Sequence, residues 1–213
     1  MQSLGVLPGG SSSLGTDISA DGSTVAGYAA RQFSGESAFR WTSAGGMQDL
    51  GTLAGALSSY GNGISGDGSV VVGFSGQSFN SARRAFRWTN TGGMQGLGFL
   101  PGGSTSSADA VNGDGSIVVG NGDNSVGAVH ALLWTPALGA VDFNTYLPTV
   151  GVDLTGWTLQ YASSVSADGS AITGTGLFNG QTRAFLVTGL PIPSPAPATL
   201  LGLSGLLAIR RRR

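Results

Sequence analysis

One eleven-residue pattern occurs four times in this chain, and its spacing restricts the fold more than any other feature. It reads DISADGSTVAG at residues 17–27, GISGDGSVVVG at 63–73, AVNGDGSIVVG at 110–120 and SVSADGSAITG at 164–174. The central aspartates Asp21, Asp67, Asp114 and Asp168 are 46, 47 and 54 residues apart. A second element follows each copy: AFRWT from Ala38 and from Ala85, ALLWT from Ala131 and AFLVT from Ala184. A third follows in the first two repeats, GMQDLGTL from Gly46 and GMQGLGFL from Gly93. A unit this small cannot bury an apolar face alone, so copies must stack on one another.

Each copy has the chemistry of a hairpin. Asp-Gly pairs suit a two-residue turn, because glycine accepts positive φ and aspartate tolerates it. The structural turn residues are therefore Asp21, Gly22, Asp67, Gly68, Asp114, Gly115, Asp168 and Gly169. The flanks are β-branched and alternate, as at Val70 and Val72 against Ser69 and Val71. In AFRWT, Phe39 and Trp41 share one face of a strand and Arg40 takes the other. No stretch of the body has a helical period. Four short strands per repeat of about 46 residues make the unit of a propeller blade, with a bent β-solenoid as the alternative. The chain is thus all-β over residues 1–188. The 38 glycines, which would otherwise suggest low complexity, fall in register with the apolar residues and mark turns between strands.

Met1-Gln2-Ser3-Leu4-Gly5 matches Met47-Gln48-Asp49-Leu50-Gly51, so the sequence starts in mid-repeat. Two readings follow. The first strand completes the last blade, which has no GMQ segment of its own, and so removes an exposed edge. Alternatively, further repeats precede Met1, a reading favoured by the missing basic and apolar leader; the first positive residue is Arg31.

GxLPGG (residues 5–10 and 98–103), the SxDGS hairpin and AFRWT together resemble the extracellular repeats of the HAF family. The resemblance covers residues 1 to about 188 and implies an exported bacterial protein; it carries no reaction with it. The fourth repeat departs from the pattern at residues 141–160, VDFNTYLPTVGVDLTGWTLQ, as end units of repeat arrays do.

From Leu190 the composition changes. Pro191, Pro193, Pro195 and Pro197 alternate with small residues, which predicts an extended linker over 189–198. Residues 199–213 follow as TLLGLSGLLAI and the basic run Arg210, Arg211, Arg212 and Arg213. A helix from Pro197 to Arg210 is roughly 20 Å long, short of the ~30 Å hydrocarbon core. Snorkelling arginines recover part of the deficit. By the positive-inside rule they stay cytoplasmic and leave the repeats outside. Proline motif, apolar helix and terminal arginines, in that order, resemble the PEP-CTERM sorting signal, also titled the ice-binding protein C-terminal domain. That resemblance implies an exosortase-type enzyme as partner, transient or permanent anchoring in the inner membrane, and delivery to the cell surface or exopolysaccharide matrix. Where the family has Pro-Glu-Pro, this chain has Pro193-Ser194-Pro195.

The remaining residues offer little chemistry. Cysteine is absent, which removes disulfides and thiolate metal sites. All ten basic residues are arginines, and the body carries six against eleven carboxylates, a balance that argues against nucleic acid. His130 is the single histidine, placed at the start of a strand, and a catalytic triad would have to use it. Carboxylates of the four turns are candidate calcium ligands, but a turn aspartate bonding its own backbone explains them equally. The series Trp41, Trp88 and Trp134 is either core or a sugar-stacking platform. The expectation is an exported, non-catalytic surface or matrix protein with no cofactor. The alternative is a carbohydrate-binding propeller module assisted by calcium. Burial of the indoles discriminates between them.

Overall fold

The computed structural model describes residues 1–33, 35–77 and 82–192. Pro193, Ser194, Pro195, the predicted C-terminal helix and Arg210 to Arg213 lie outside the described residues.

Four antiparallel sheets follow one another along the chain, each a simple meander. The first holds β1 (Ser13–Ile18), β2 (Thr24–Ala30), β3 (Glu36–Thr42) and β4 (Gly46–Asp49). The second holds β5 (Ser58–Ile64), β6 (Val70–Gly76), β7 (Arg83–Thr89) and β8 (Gly93–Gly98). In the third are β9 (Ser106–Val111), β10 (Val118–Asp123), β11 (Val129–Thr135) and β12 (Gly139–Asp142). The fourth has only β13 (Trp157–Val165), β14 (Ala171–Phe178) and β15 (Gln181–Thr188). The all-β, propeller-like repeat predicted above is the architecture of the described chain.

Two features differ from expectation. A seven-residue helix, α1 (Phe143–Thr149), joins the third and fourth sheets inside the atypical segment. It is short and contains Pro148, so it leaves no periodic trace; Asp142 caps it by accepting the Asn144 amide at 2.9 Å. The hairpin turns are also not two-residue turns. In the first, the Gly22 amide donates to Ser19 O at 2.9 Å, closing a Ser-Ala-Asp-Gly turn with Gly22 alone at φ +72°. Gly68, Gly115 and Gly169 repeat this at +69°, +75° and +75°. Among the described non-glycine residues only Asn179 has positive φ, so no turn aspartate adopts the type I′ geometry.

A glycine ends every copy of the eleven-residue pattern for a different reason. Built on Gly27, Gly73, Gly120 or Gly174, a Cβ would lie 1.8–2.0 Å from a carbonyl oxygen of the first strand of its sheet. The pairing register shifts at or beside each of these glycines, so the first strand bulges and its backbone presses onto the second.

The sheets stack face to face in chain order, and the core lies between them. Ala26, Ala38 and Leu50 of the first meet Ile64, Val71, Phe86 and Trp88 of the second. Val70, Val72, Ala85 and Leu97 meet Ala108 and Val118 of the third. Ile117, Val119, Leu133, Phe143 and Leu147 meet Leu159, Ala162, Ile172 and Phe185. On each third strand the Phe/Trp positions therefore face the preceding sheet and the Ala/Arg positions the following one. No packing of comparable extent joins the fourth sheet to the first among the described residues. Residues 1–6 form no strand and do not complete the fourth sheet, so the stack is an open arc.

Candidate functional site

The four turns form the most regular polar feature of the surface. Each aspartate uses its oxygens within its own turn. Asp21 Oδ1 accepts from Ser19 Oγ at 2.7 Å and from the Ser23 amide at 3.0 Å. Asp67 does the same with Ser65 (2.6 Å) and Ser69 (2.9 Å), and Asp168 with Ser166 (2.5 Å) and Ser170 (3.0 Å). In the third turn Asn112 takes the serine's place and accepts the Ile117 amide at 2.9 Å, while Asp114 accepts from Ser116. The Ser23 amide and Ser19 hydroxyl hold Asp21 down to about 2, and the Ser166 hydroxyl and Ser170 amide hold Asp168 there too. Among the described residues, no three His, Cys, Asp or Glu side chains gather around a point that a metal could occupy.

The turn glycines also join sheets. Arg40 Nε donates to Gly68 O at 2.8 Å, and Arg87 Nε to Gly115 O at 3.0 Å, each reaching from one sheet to the next. A Cβ on Gly68 would meet Thr24 Oγ1 at 2.7 Å, and one on Gly115 would meet Val70 Cγ2 at 2.4 Å. In the third sheet Leu133 stands where Arg40 and Arg87 stand, and that junction is apolar.

The tryptophan series follows the stacking. Trp88, enclosed between the first and second sheets, is 5 % exposed. Trp134 is half-buried against the core between the second and third sheets. Trp41 is half-buried on the face of the first sheet away from the second, packed with Leu7, Ala29 and Phe39. They do not form an exposed row.

His130 Nδ1 lies 2.5 Å from Asp142 Oδ2, while its Nε2 faces Asn124 Nδ2 at 3.4 Å. No serine or threonine hydroxyl among the described residues bonds the imidazole, so the pair lacks a nucleophile. It links β11, at whose start His130 sits as expected, to the residue that caps α1.

Sequence reasoning missed three features. Arg83 and Arg84 line a groove beside the second sheet, walled by the linkers that enter and leave that sheet, with Leu53, Gln77, Phe99 and Ser104. Arg84 lies over the Phe99 ring at 5.2 Å and Arg83 over Phe74 at 5.3 Å, and among the described residues neither has a carboxylate within salt-bridge distance. The Arg-Arg pair before AFRWT was the available signal. Asp109 is half-buried on β9, bonded to Ser107 Oγ and Asn121 Nδ2; desolvation pushes its carboxyl up, with those two bonds and Arg83 opposing. Asn179-Gly180, between β14 and β15, is the two-residue turn with both residues at positive φ that the aspartates were expected to make.

No protein-family model and no curated protein matches the sequence. Solved structures do. TolB from Acinetobacter baumannii aligns with a TM-score of 0.56 at 14 % identity, over 84 % of this chain and 41 % of that one. A putative TolB from Agrobacterium tumefaciens aligns with a TM-score of 0.52 at 14 % identity, over 80 % and 59 %. The chain spans about half the length of these structures, and the likeness is one of β-propeller-like fold.

Proposed function

We propose that this chain is a non-catalytic repeat protein of the cell exterior, routed by its C-terminal tail to the surface or matrix. The observation that carries the scaffold reading is the position of the indoles: Trp88 is buried between sheets and Trp41 and Trp134 pack against cores. With the turn aspartates bonded to their own turns, the conspicuous residues of each repeat are spent on architecture. Routing rests on the order of Pro193-Ser194-Pro195, the apolar run and Arg210 to Arg213, and on their resemblance to the exosortase signal.

The test is fractionation of the full chain and of one ending at residue 198, both given an export signal in a host with an exosortase-type enzyme. The full chain is expected at the membrane or cell surface and the shortened one free, with unchanged β-structure by circular dichroism. A shortened chain that still partitions with membrane, or loses its fold, overturns the routing.

The Arg83–Arg84 groove favours a second reading, in which the scaffold holds an acidic polysaccharide. Guanidinium groups beside an aromatic ring suit a carboxylated sugar. Binding to an acidic exopolysaccharide that weakens with salt and with Arg84→Ala supports it; binding indifferent to both rejects it.

A further inference from the structure

The two ends of the arc are complementary. The fourth sheet has three strands where each of the others has four, so the outer edge of β15 is unpaired among the described residues. Residues 1–5 match the fourth-strand segments of the first two sheets, yet form no strand in their own chain. We propose that a second copy of this chain docks head to tail, its residues 1–4 adding to β15 as the missing strand and its first sheet stacking on the fourth.

The junctions inside the chain define what docking requires. β4 pairs with β3 with Trp41 opposite Met47 and Arg40 opposite Gln48, and the Leu50 amide then donates to Ala38 O at 2.9 Å. Transferred to the ends, Met1 stands opposite Val187, Gln2 opposite Leu186, and the Leu4 amide donates to Ala184 O. Past the added strand, the linker glycine is the same in all three repeats: Gly5, Gly51 and Gly98 have φ of +81°, +74° and +88°. Their carbonyls accept from Ser13, Ser59 and Ser106 Oγ at 2.7, 2.5 and 2.6 Å. Residues 5–13 thus already hold the conformation that leads from one sheet to the next.

The first sheet shows what is uncovered. Ser59 and Ser106 Oγ also accept amides from the preceding sheet, Ala38 at 2.9 Å and Ala85 at 3.0 Å. Gly61 O accepts from Thr16 Oγ1 at 2.8 Å, and Ala108 O from Asn62 Nδ2 at 2.9 Å. The counterparts in the first sheet, Ser13 Oγ and Gly15 O, have no such donor among the described residues. Ile64 is 5 % exposed, whereas its counterpart Ile18 is 55 % exposed. On the other end Ala184 offers the amide, Ser163 stands where Thr16 and Asn62 stand, and Leu186, 69 % exposed, occupies the arginine position. The third and fourth sheets already pack with a leucine there. Thr173 replaces the Ala26, Val72 and Val119 of the other sheets, so this face is less apolar and the association is reversible. Adding a strand supplies main-chain hydrogen bonds as well as this packing. A head-to-tail contact of this kind closes into a ring or extends into a filament.

The experiment uses the full chain in non-ionic detergent, followed by sedimentation. Two variants block one end each. Gln2→Pro/Leu4→Pro removes the added strand's donors at residues outside any element, and Leu186→Pro removes a donor from the free edge of β15. Wild type is expected to associate with rising concentration, and each variant alone to weaken by at least about tenfold. Mixed, the two variants each retain one intact end, so they form a dimer and nothing larger. If Leu186→Pro does not fold, Leu186→Asp replaces it. Wild type that stays monomeric, variants that associate as wild type does, or a mixture no more associated than its parts each overturn the proposal.

Discussion

Gly22, Gly68 and Gly115 occupy the same place in three turns, with nearly the same φ, but alanine should cost a different amount at each. Positive φ alone destabilises a non-glycine residue by about 1 kcal/mol or somewhat more. At Gly22 a Cβ meets nothing closer than Ile18 Cδ1 at 3.9 Å, so Gly22→Ala should show that cost alone. At Gly115 the Cβ would fall 2.4 Å from Val70 Cγ2, and the second and third sheets must separate to admit it. Urea unfolding should therefore rank Gly115→Ala well below Gly22→Ala; equal losses would mean the turns are not wedged between sheets. Asp109 gives a prediction of opposite sign. Its half-buried carboxyl is pushed above its unfolded value by desolvation, so ionisation opposes folding as pH rises past about 4. Asn62, one repeat earlier, donates an amide to the next sheet instead. Asp109→Asn should stabilise the fold at pH 7 by about 1 kcal/mol, with the gain shrinking as pH falls toward 3. The turn aspartates run the other way. Their folded pKa values are depressed, so their contribution is full above about pH 4 and is lost as pH falls toward 2. Asp168→Asn should lower the melting temperature above about pH 5 and flatten the acid limb of its plot against pH, the two proteins converging as pH falls toward 2.

Among the elements, the strands were legible because period-two alternation and fixed spacing are direct images of a pleated, stacked sheet. The glycine ending each pattern was legible as a residue but not as a reason: the carbonyl it admits lies thirteen residues earlier in all four sheets, and no local rule names that contact. Turn type was misread for a related cause. Asp-Gly is compatible with two turn geometries, and the choice is made by Ser19 or Asn112 accepting an amide from across the turn. Helix α1 escaped because about two turns around a proline have no period to detect. Its stability should rest on Asp142, which caps the helix and holds His130. Asp142→Ala is expected to cost about 1–2 kcal/mol in thermal unfolding, more than His130→Ala, which leaves the cap in place. Of the candidate site, the tryptophan series stood open between core and platform in the sequence, because strand alternation gives the face but not what covers it; Trp88 is buried and Trp41 and Trp134 are half-buried. The Arg83–Arg84 groove was not visible, because its other walls come from loops of two neighbouring repeats.

At the scale of the molecule, every sheet has neighbours along one line only, and the polypeptide enters at one end of that line and leaves at the other. A force applied between residue 1 and residue 192 must therefore pass through the sheets in series rather than be shared among them. Each sheet, once peeled, releases its own length of chain, about 160 Å for 46 residues, and leaves the next intact. In a single-molecule pulling experiment the trace should be a staircase of up to four comparable steps, the last sheet to yield being one flanked by the Phe86–Trp88 core. One step of the whole contour length would mean that the repeats fail together. The arc is then a mechanical ratchet of tethers: a chain fixed at a surface by one end could lengthen under shear by a counted number of repeats and recover them when the load is removed.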